Sequence, residues 1–478
     1  MIADAGKRYT LVPEETIPSK AKSVKSLTSF AKRSAQLAAG FVCAIALAAG
    51  APTVAGAQVL TTDNVCGKTA DARGITAENL PDIDATNALV MGKDGTVYYG
   101  RGADEQVKIA SITKVMTAIL TVENCEMDEK VTVSNAAATV GNSTAGLLEG
   151  DELTVEQALR GLMIPSGNDA AIVLAEYVGK KIDPKTKDAE ATFVKAMNER
   201  AKKLGCTGTL FENPHGLDFD EWAGDMHSTA HDVALMMQEA MKNDTIREVV
   251  ASEDSWIEVT GADGTDHSHS MDTHNYLLGQ DGNIGGKTGT TMEAGNCFVG
   301  AFSREDGGEV YVAIFGAADN DTRFADTLAL ANWYYDHIAT VPYINTPVTR
   351  NGVPLVGEAT CSAWCDRTAA VTLEDPNATF SVFSLGDELV QDVEYDELDG
   401  AVEQGATVGT MSLRQGDVTV GSANLVSAES VPEPNPFEWL MIKFDRLIRL
   451  FEGRPSTAKS VVVNEVANPL GYDSWGAA

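Results

Sequence analysis

The order of its hydrophobic periodicities limits most strongly what this chain can fold into. Ala88–Met91 and Val97–Tyr99 are short apolar runs of strand type, joined across the turn Lys93-Asp-Gly-Thr96. From Ser111 the spacing changes. Ile112, Val115, Met116, Ile119 and Leu120 recur at three- and four-residue intervals, which predicts a helix to Glu123. Helical patterns continue over Val155–Met163, Asp169–Val178, Ala189–Leu204 and Asp232–Met241, with Ser228-Thr229 placed to cap the last. Strand patterns return at Cys297–Ser303 and Glu309–Ala317, and Arg323–His337 is again helical. A hairpin, a helical middle and a late pair of strands form an α+β pattern and not a repeating βαβ one.

The flanks differ from this unit. Residues 1–57 carry a long basic region, an apolar run Leu37–Ala49 and small residues around Ala55-Gly56-Ala57, the order of a secretory signal peptide. A polar lead, 58–82, follows, and the α+β unit is placed at 83–340. Residues 345–431 hold short runs, Ala369–Leu373, Thr379–Phe383, Thr407–Leu413 and Val418–Ala423, separated by turn residues, which predicts a small antiparallel β domain. The stiff linker Val431-Pro-Glu-Pro-Asn-Pro436 leads into a helix at 437–452 with Phe437, Leu440, Met441, Phe444, Leu447, Ile448 and Phe451 on one face. Such a helix can lie flat in a membrane interface or pack on a neighbouring domain. Residues 453–478 form a tail without a readable role.

A net charge of −33 argues against nucleic-acid binding, which depends on Lys and Arg neutralising phosphates. Beyond Cys43 in the signal, six cysteines remain, an even number compatible with export and with 15 pairings. Cys361 and Cys365 are the pair easiest to join; Cys125, Cys206 and Cys297 read equally well as buried thiols. His227 and His231, and the cluster His267, His269 and His274, lack an acidic or cysteine partner at ligand spacing, so no metal is expected.

Three short motifs carry chemistry: Ser111-Ile-Thr-Lys114, Ser166-Gly-Asn168 and Lys287-Thr-Gly289. Each alone is common, but their order and neighbourhoods are specific. A serine hydroxyl needs an adjacent base to become a nucleophile. Residues i and i+3 share a helix face, which brings the Lys114 amine to the Ser111 hydroxyl. Burial near a second cation, for which Lys287 is available, would lower the Lys114 pKa enough for it to accept a proton. Ser111 at a helix start also has N–H groups suited to an oxyanion, and Ser166 and Asn168 offer a hydroxyl and an amide.

This set resembles the penicillin-binding proteins and serine β-lactamases, and within them the low-molecular-mass D-alanyl-D-alanine carboxypeptidases of peptidase family S11. Val107–Ala118 resembles that family's nucleophile segment, with Ile109 where proline is usual. Ile164–Ala171, Glu212-Asn-Pro-His-Gly-Leu217, Ser228-Thr-Ala-His-Asp232 (His231 where arginine is commoner) and Gly285–Gly295 resemble further family blocks.

The resemblance implies a DD-peptidase-like catalytic domain, an antiparallel sheet with helices, followed by the small β domain. It implies that Ser111 attacks the carbonyl between two terminal D-alanines of a peptidoglycan stem peptide, with Lys114 as general base. Ser111 and Thr290 N–H groups would form the oxyanion hole, and Ser166 would pass the proton to the leaving D-alanine. Asn168 would bind the substrate amide, with Lys287, Thr288 and Gly289 at the carboxylate end. β-Lactams would acylate the same serine, and no cofactor is needed. It also implies that the 437–452 helix anchors the enzyme to the outer face of the cytoplasmic membrane. Rival readings are a β-lactamase, a DD-endopeptidase, or a non-catalytic wall-binding protein. No glutamate base of the class A β-lactamase kind is evident before Lys287.

Overall fold

The computed structural model describes residues 63–253 and 255–467; the expected signal peptide and the end of the tail lie outside the described residues. Its centre is a seven-stranded antiparallel sheet in the order Lys68–Thr69, Asp63–Val65, Val97–Arg101, Asn87–Gly92, Gly308–Ala317, Gly295–Arg304, Asn283–Thr291. Early and late strands meet in register, Val90 opposite both Tyr99 and Val312. Because side chains alternate across a sheet, successive residues feed two different cores. Leu89, Met91, Val299, Ala313 and Phe315 pack with the helices that follow Ser111. Val90, Phe298, Phe302, Val312 and Ile314 pack instead with Leu330, Trp333 and Tyr334 of the Asn320–Asp336 helix.

The helices form where the apolar spacing predicts them: Lys114–Asn124, Val155–Met163, Asn168–Ile182, Ala189–Leu204 and Ala230–Ala240. Their starts are set by local chemistry. Thr154 and Gln157 close a capping box, and the Thr229 side chain accepts from the Asp232 N–H. A separate four-stranded sheet, Lys130–Thr132, Glu152–Thr154, Ser255–Thr260 and Asp266–Met271, lies beside the helical part. Its strands escape the sequence reading because they are short and rich in Ser, His and acidic residues.

Within residues 58–82, set apart as a lead on sequence grounds, Asp63–Val65 and Lys68–Thr69 join the main sheet. Asp63–Val65 pairs with Val97–Arg101, and the Arg101 guanidinium donates to both Asp63 carboxylate oxygens at 2.8 and 3.1 Å with both side chains buried. A paired charge at that site binds the segment to the domain, since removing one partner would leave the other buried alone.

Strand Ile338–Pro342 then leads the chain into a β region. It pairs with Thr379–Phe383, and a six-stranded sheet runs Leu389–Tyr395, Thr407–Gln415, Val418–Ser427, Thr368–Leu373, Gly357–Thr360, Val461–Val462. Its core holds Val371, Val408, Met411, Leu413 and Leu425. The last strand of that sheet comes from the tail, and buried Asn464 donates to the Tyr343 carbonyl and the Gln391 side chain. The helix Pro436–Glu452 is therefore held at both ends.

Among the described residues no disulfide joins the cysteines. Cys66, Cys125, Cys206, Cys297, Cys361 and Cys365 are all free. Cys361, one of the pair easiest to join by sequence, lies in the β-region core, whereas the Cys365 thiol is 3.7 Å from the Ile442 carbonyl of the terminal helix.

Candidate active site

The three motifs converge although they come from three different kinds of element. Ser111 sits in a single 3₁₀ turn, Ala110–Thr113, and Lys114 opens the α-helix that continues it. This sharpens the expectation of an α-helical start: in a 3₁₀ turn residues i and i+3 eclipse one another. Lys114 Nζ lies 2.8 Å from Ser111 Oγ. Ser166 lies between the helices Val155–Met163 and Asn168–Ile182, and Asn168 opens the second of them. Lys287, Thr288, Gly289 and Thr290 lie on Asn283–Thr291, the edge strand of the main sheet, with Thr290 exposed.

Neutral oxygens hold both lysines. Lys114 donates to Asn168 Oδ1 and the His215 carbonyl, each at 2.7 Å, as well as to Ser111. Lys287 donates to Ser166 Oγ at 2.8 Å and to the Thr288 carbonyl at 2.9 Å. Both side chains are fully out of solvent. Burial, and then the charge of Lys287, hold the Lys114 pKa well below the lysine range, with Asp169 opposing weakly. Burial, followed by the Arg323 guanidinium, brings Lys287 down to about 7. The site therefore holds an amine, shifted toward its uncharged form, within hydrogen-bond reach of a serine hydroxyl.

The Asn-Pro-His-Gly-Leu block finds its physical reason here. The Pro214 carbonyl accepts from Thr117 Oγ, and the His215 carbonyl accepts from Lys114. Burial, then Lys114, pushes the His215 imidazole down to about 3, so the ring stays neutral against the base. Gly216 backs onto the residue before the nucleophile: a Cβ there would lie 2.0 Å from the Ala110 carbonyl oxygen. Gly289 approaches from the other side, where a Cβ would lie 2.8 Å from the Ile109 carbonyl oxygen. Ala110 (φ 46°) and Ser166 (φ 64°) occupy the left-handed region without being glycine. Such conformations cost about 1–3 kcal/mol each and persist where the surroundings force them.

A cleft of about 310 Å³ opens over this cluster, lined by Ser111, Ser166, Thr288, Gly289 and Thr290 and also by Ser143, His274, Tyr276, Asn320 and Arg323. The second group was not singled out by sequence. Arg323 is buried and donates to the Gly289 carbonyl at 3.2 Å, Thr290 Oγ at 3.0 Å and the Cys297 carbonyl at 3.3 Å. One sequence signal was available: an arginine in the first turn of a helix opposes the helix dipole and so asks for another reason to be there. Ser143 lies in the loop before Glu152–Thr154, and its carbonyl accepts from the Asn168 N–H at 2.8 Å.

Residues 74–319 match the D-alanyl-D-alanine carboxypeptidases of peptidase family S11, and the chain belongs to that family. It is 27% identical to the D-alanyl-D-alanine carboxypeptidase DacF of Bacillus subtilis, over 73% of this chain and 86% of that one. It is 33% identical to the D-alanyl-D-alanine carboxypeptidase of Streptomyces sp. strain K15, over 58% and 97%. A solved mutant of the DD-transpeptidase from that strain aligns with a TM-score of 0.50 at 32% identity, covering 53% of this chain and 98% of that one. The D-alanyl-D-alanine carboxypeptidase DacD of Francisella tularensis shares the fold, with a TM-score of 0.51 at 23% identity over 74% of this chain and 95% of that one.

Gly216→Ala should push Ala110 and Ser111 out of place and slow acylation by a fluorescent penicillin by about a hundredfold. A thermal melt run in parallel checks that the variant folds. A folded variant with the wild-type labelling rate would show that the close backbone approach is not needed.

Proposed function

We propose that the chain is a serine-type D-Ala-D-Ala carboxypeptidase that removes the terminal D-alanine from peptidoglycan stem pentapeptides through an acyl-enzyme on Ser111. The observation that carries this reading is the buried Lys114 amine 2.8 Å from Ser111 Oγ. Neutral Lys114 takes the hydroxyl proton as Ser111 Oγ bonds to the carbonyl carbon between the two D-alanines. The Ser111 and Thr290 N–H groups receive the oxyanion. As the tetrahedral intermediate collapses, the C–N bond breaks and Ser166, held by Lys287, helps return the proton to the leaving D-alanine. Asn168 binds the substrate amide. Lys287, Thr288, Gly289 and buried Arg323 gather the terminal carboxylate, matching positive charge to the anionic end. Water, activated by the same base, then releases the shortened peptide. A β-lactam acylates Ser111 by the same route and inhibits the enzyme.

The reading extends to location. With 1–57 as an export signal, the enzyme works outside the cytoplasmic membrane, held to its outer face by the 437–452 helix. The way this helix sits supports that. Arg446 and Arg449 turn toward the β region, donating to the carbonyls of Ser362, Trp364 and Cys365. The apolar residues turn away: Leu440 is 59%, Phe444 58% and Phe451 83% exposed. A helix packed for the sake of its own core would do the reverse. Among the described residues no helix is long and apolar enough to cross a membrane, so the contact proposed is interfacial.

Incubation with a stem pentapeptide and mass spectrometry should show loss of one alanine, and Ser111→Ala should abolish both this loss and penicillin labelling. An intact pentapeptide beside turned-over penicillin would make the protein a β-lactamase instead. In co-sedimentation with phospholipid vesicles, replacing Phe444 and Phe451 together by Asp should weaken binding at least about a hundredfold, the lower end of the loss expected from two buried aromatic side chains. Equal sedimentation of variant and parent would remove the helix as the anchor.

A further inference from the structure

Away from the cleft, two histidines and an aspartate that no catalytic step uses converge on the four-stranded sheet. His267 and His269 occupy positions i and i+2 of Asp266–Met271, so they share one face of that strand. Asp151, buried just before Glu152–Thr154, faces them from far upstream in the chain. The ligand atoms of the three residues all lie within 4.8 Å of one another, and His267 Nε2 is 3.6 Å from Asp151 Oδ2. The two imidazole rings meet edge to face, 4.9 Å between centroids. The Nε2 atoms of both histidines are buried and have no hydrogen-bond partner among the described residues.

Two buried nitrogens without partners are costly unless something fills the space between them. Tetrahedral zinc with bonds of about 2.0–2.1 Å sets neighbouring ligand atoms about 3.4 Å apart. The His267–Asp151 separation is already near that value. The Leu148 N–H donates to the Asp151 carboxylate at 2.9 Å and fixes its direction, as outer-shell donors do at metal sites. Two imidazoles and one carboxylate suit zinc, whereas calcium and magnesium favour all-oxygen shells. We propose that Asp151, His267 and His269 form a zinc site distinct from the catalytic serine, with the fourth position left to water.

The site would act on the cleft through one loop. Residues 141–150 carry Gly141 and Ser143, whose carbonyls accept from Asn168, and Gly146, where a Cβ would sit 3.0 Å from His269 Nδ1. The same loop is held by Asp169, which accepts from the Ala145 and Leu147 N–H groups at 2.9 and 3.1 Å. Zinc bound to Asp151 and His269 would tie this cleft wall to the Ser255–Met271 hairpin. The sequence reading missed the site because the acid is supplied by a distant strand.

The test uses the untagged, chelator-treated protein and zinc alone, followed by calorimetry and by thermal melting. One saturable equivalent that raises the melting temperature is expected, and His267→Ala and His269→Ala should each weaken binding at least tenfold. Both variants should still be acylated by penicillin without metal, which shows that they fold. Absence of a saturable equivalent, or unchanged affinity in both folded variants, would overturn the proposal.

Discussion

Two lysines buried in one small site constrain everything around them. Lys114 and Lys287 are 0% and 1% exposed, and no carboxylate among the described residues touches either amine. Taking an ammonium out of water costs several kcal/mol when no counter-charge compensates. The fold answers by surrounding each amine with serine, asparagine and carbonyl oxygens, which accept from an ammonium or an amine alike. Burial that would be a defect elsewhere favours the unprotonated amine here.

Such a site tolerates little slack, and much of the local backbone serves to remove it. The 3₁₀ turn eclipses Ser111 and Lys114; Gly216 and Gly289 let two backbone segments close on the residues before the serine; Ala110 and Ser166 are held at positive φ. The edge position of Asn283–Thr291 leaves one side of that strand open to an extended substrate. In the proposed reading, the buried Arg323 guanidinium supplies positive charge where the substrate carboxylate would arrive.

What could be read from the sequence follows the range of the forces involved. The helices Val155–Met163 and Ala189–Leu204 show the bounds their periodicity gives, because apolar spacing and caps are local. The motif residues were legible through their conjunction, and the structure brings Ser111, Lys114, Ser166, Asn168 and Lys287 together. Features made by distant pairing were not legible. Asp63–Val65 reads as polar lead until Arg101 is seen to pair with Asp63, and Val461–Val462 as tail until it adds to Gly357–Thr360. Arg323 and Asp151 gain meaning only from neighbours far along the chain. Cys361 and Cys365, close in sequence, are both free, one in the β-region core and the other beside the terminal helix.

In the proposed mechanism burial lets Lys114 act as the amine base toward Ser111. The direct measurement is the rate of Ser111 acylation by a β-lactam as a function of pH, on the full chain under single-turnover conditions. The rate should rise as Lys114 loses its proton and level off, with the midpoint well below the ordinary lysine value of 10.5. A midpoint at the ordinary lysine value, or a rate indifferent to pH, would contradict the account.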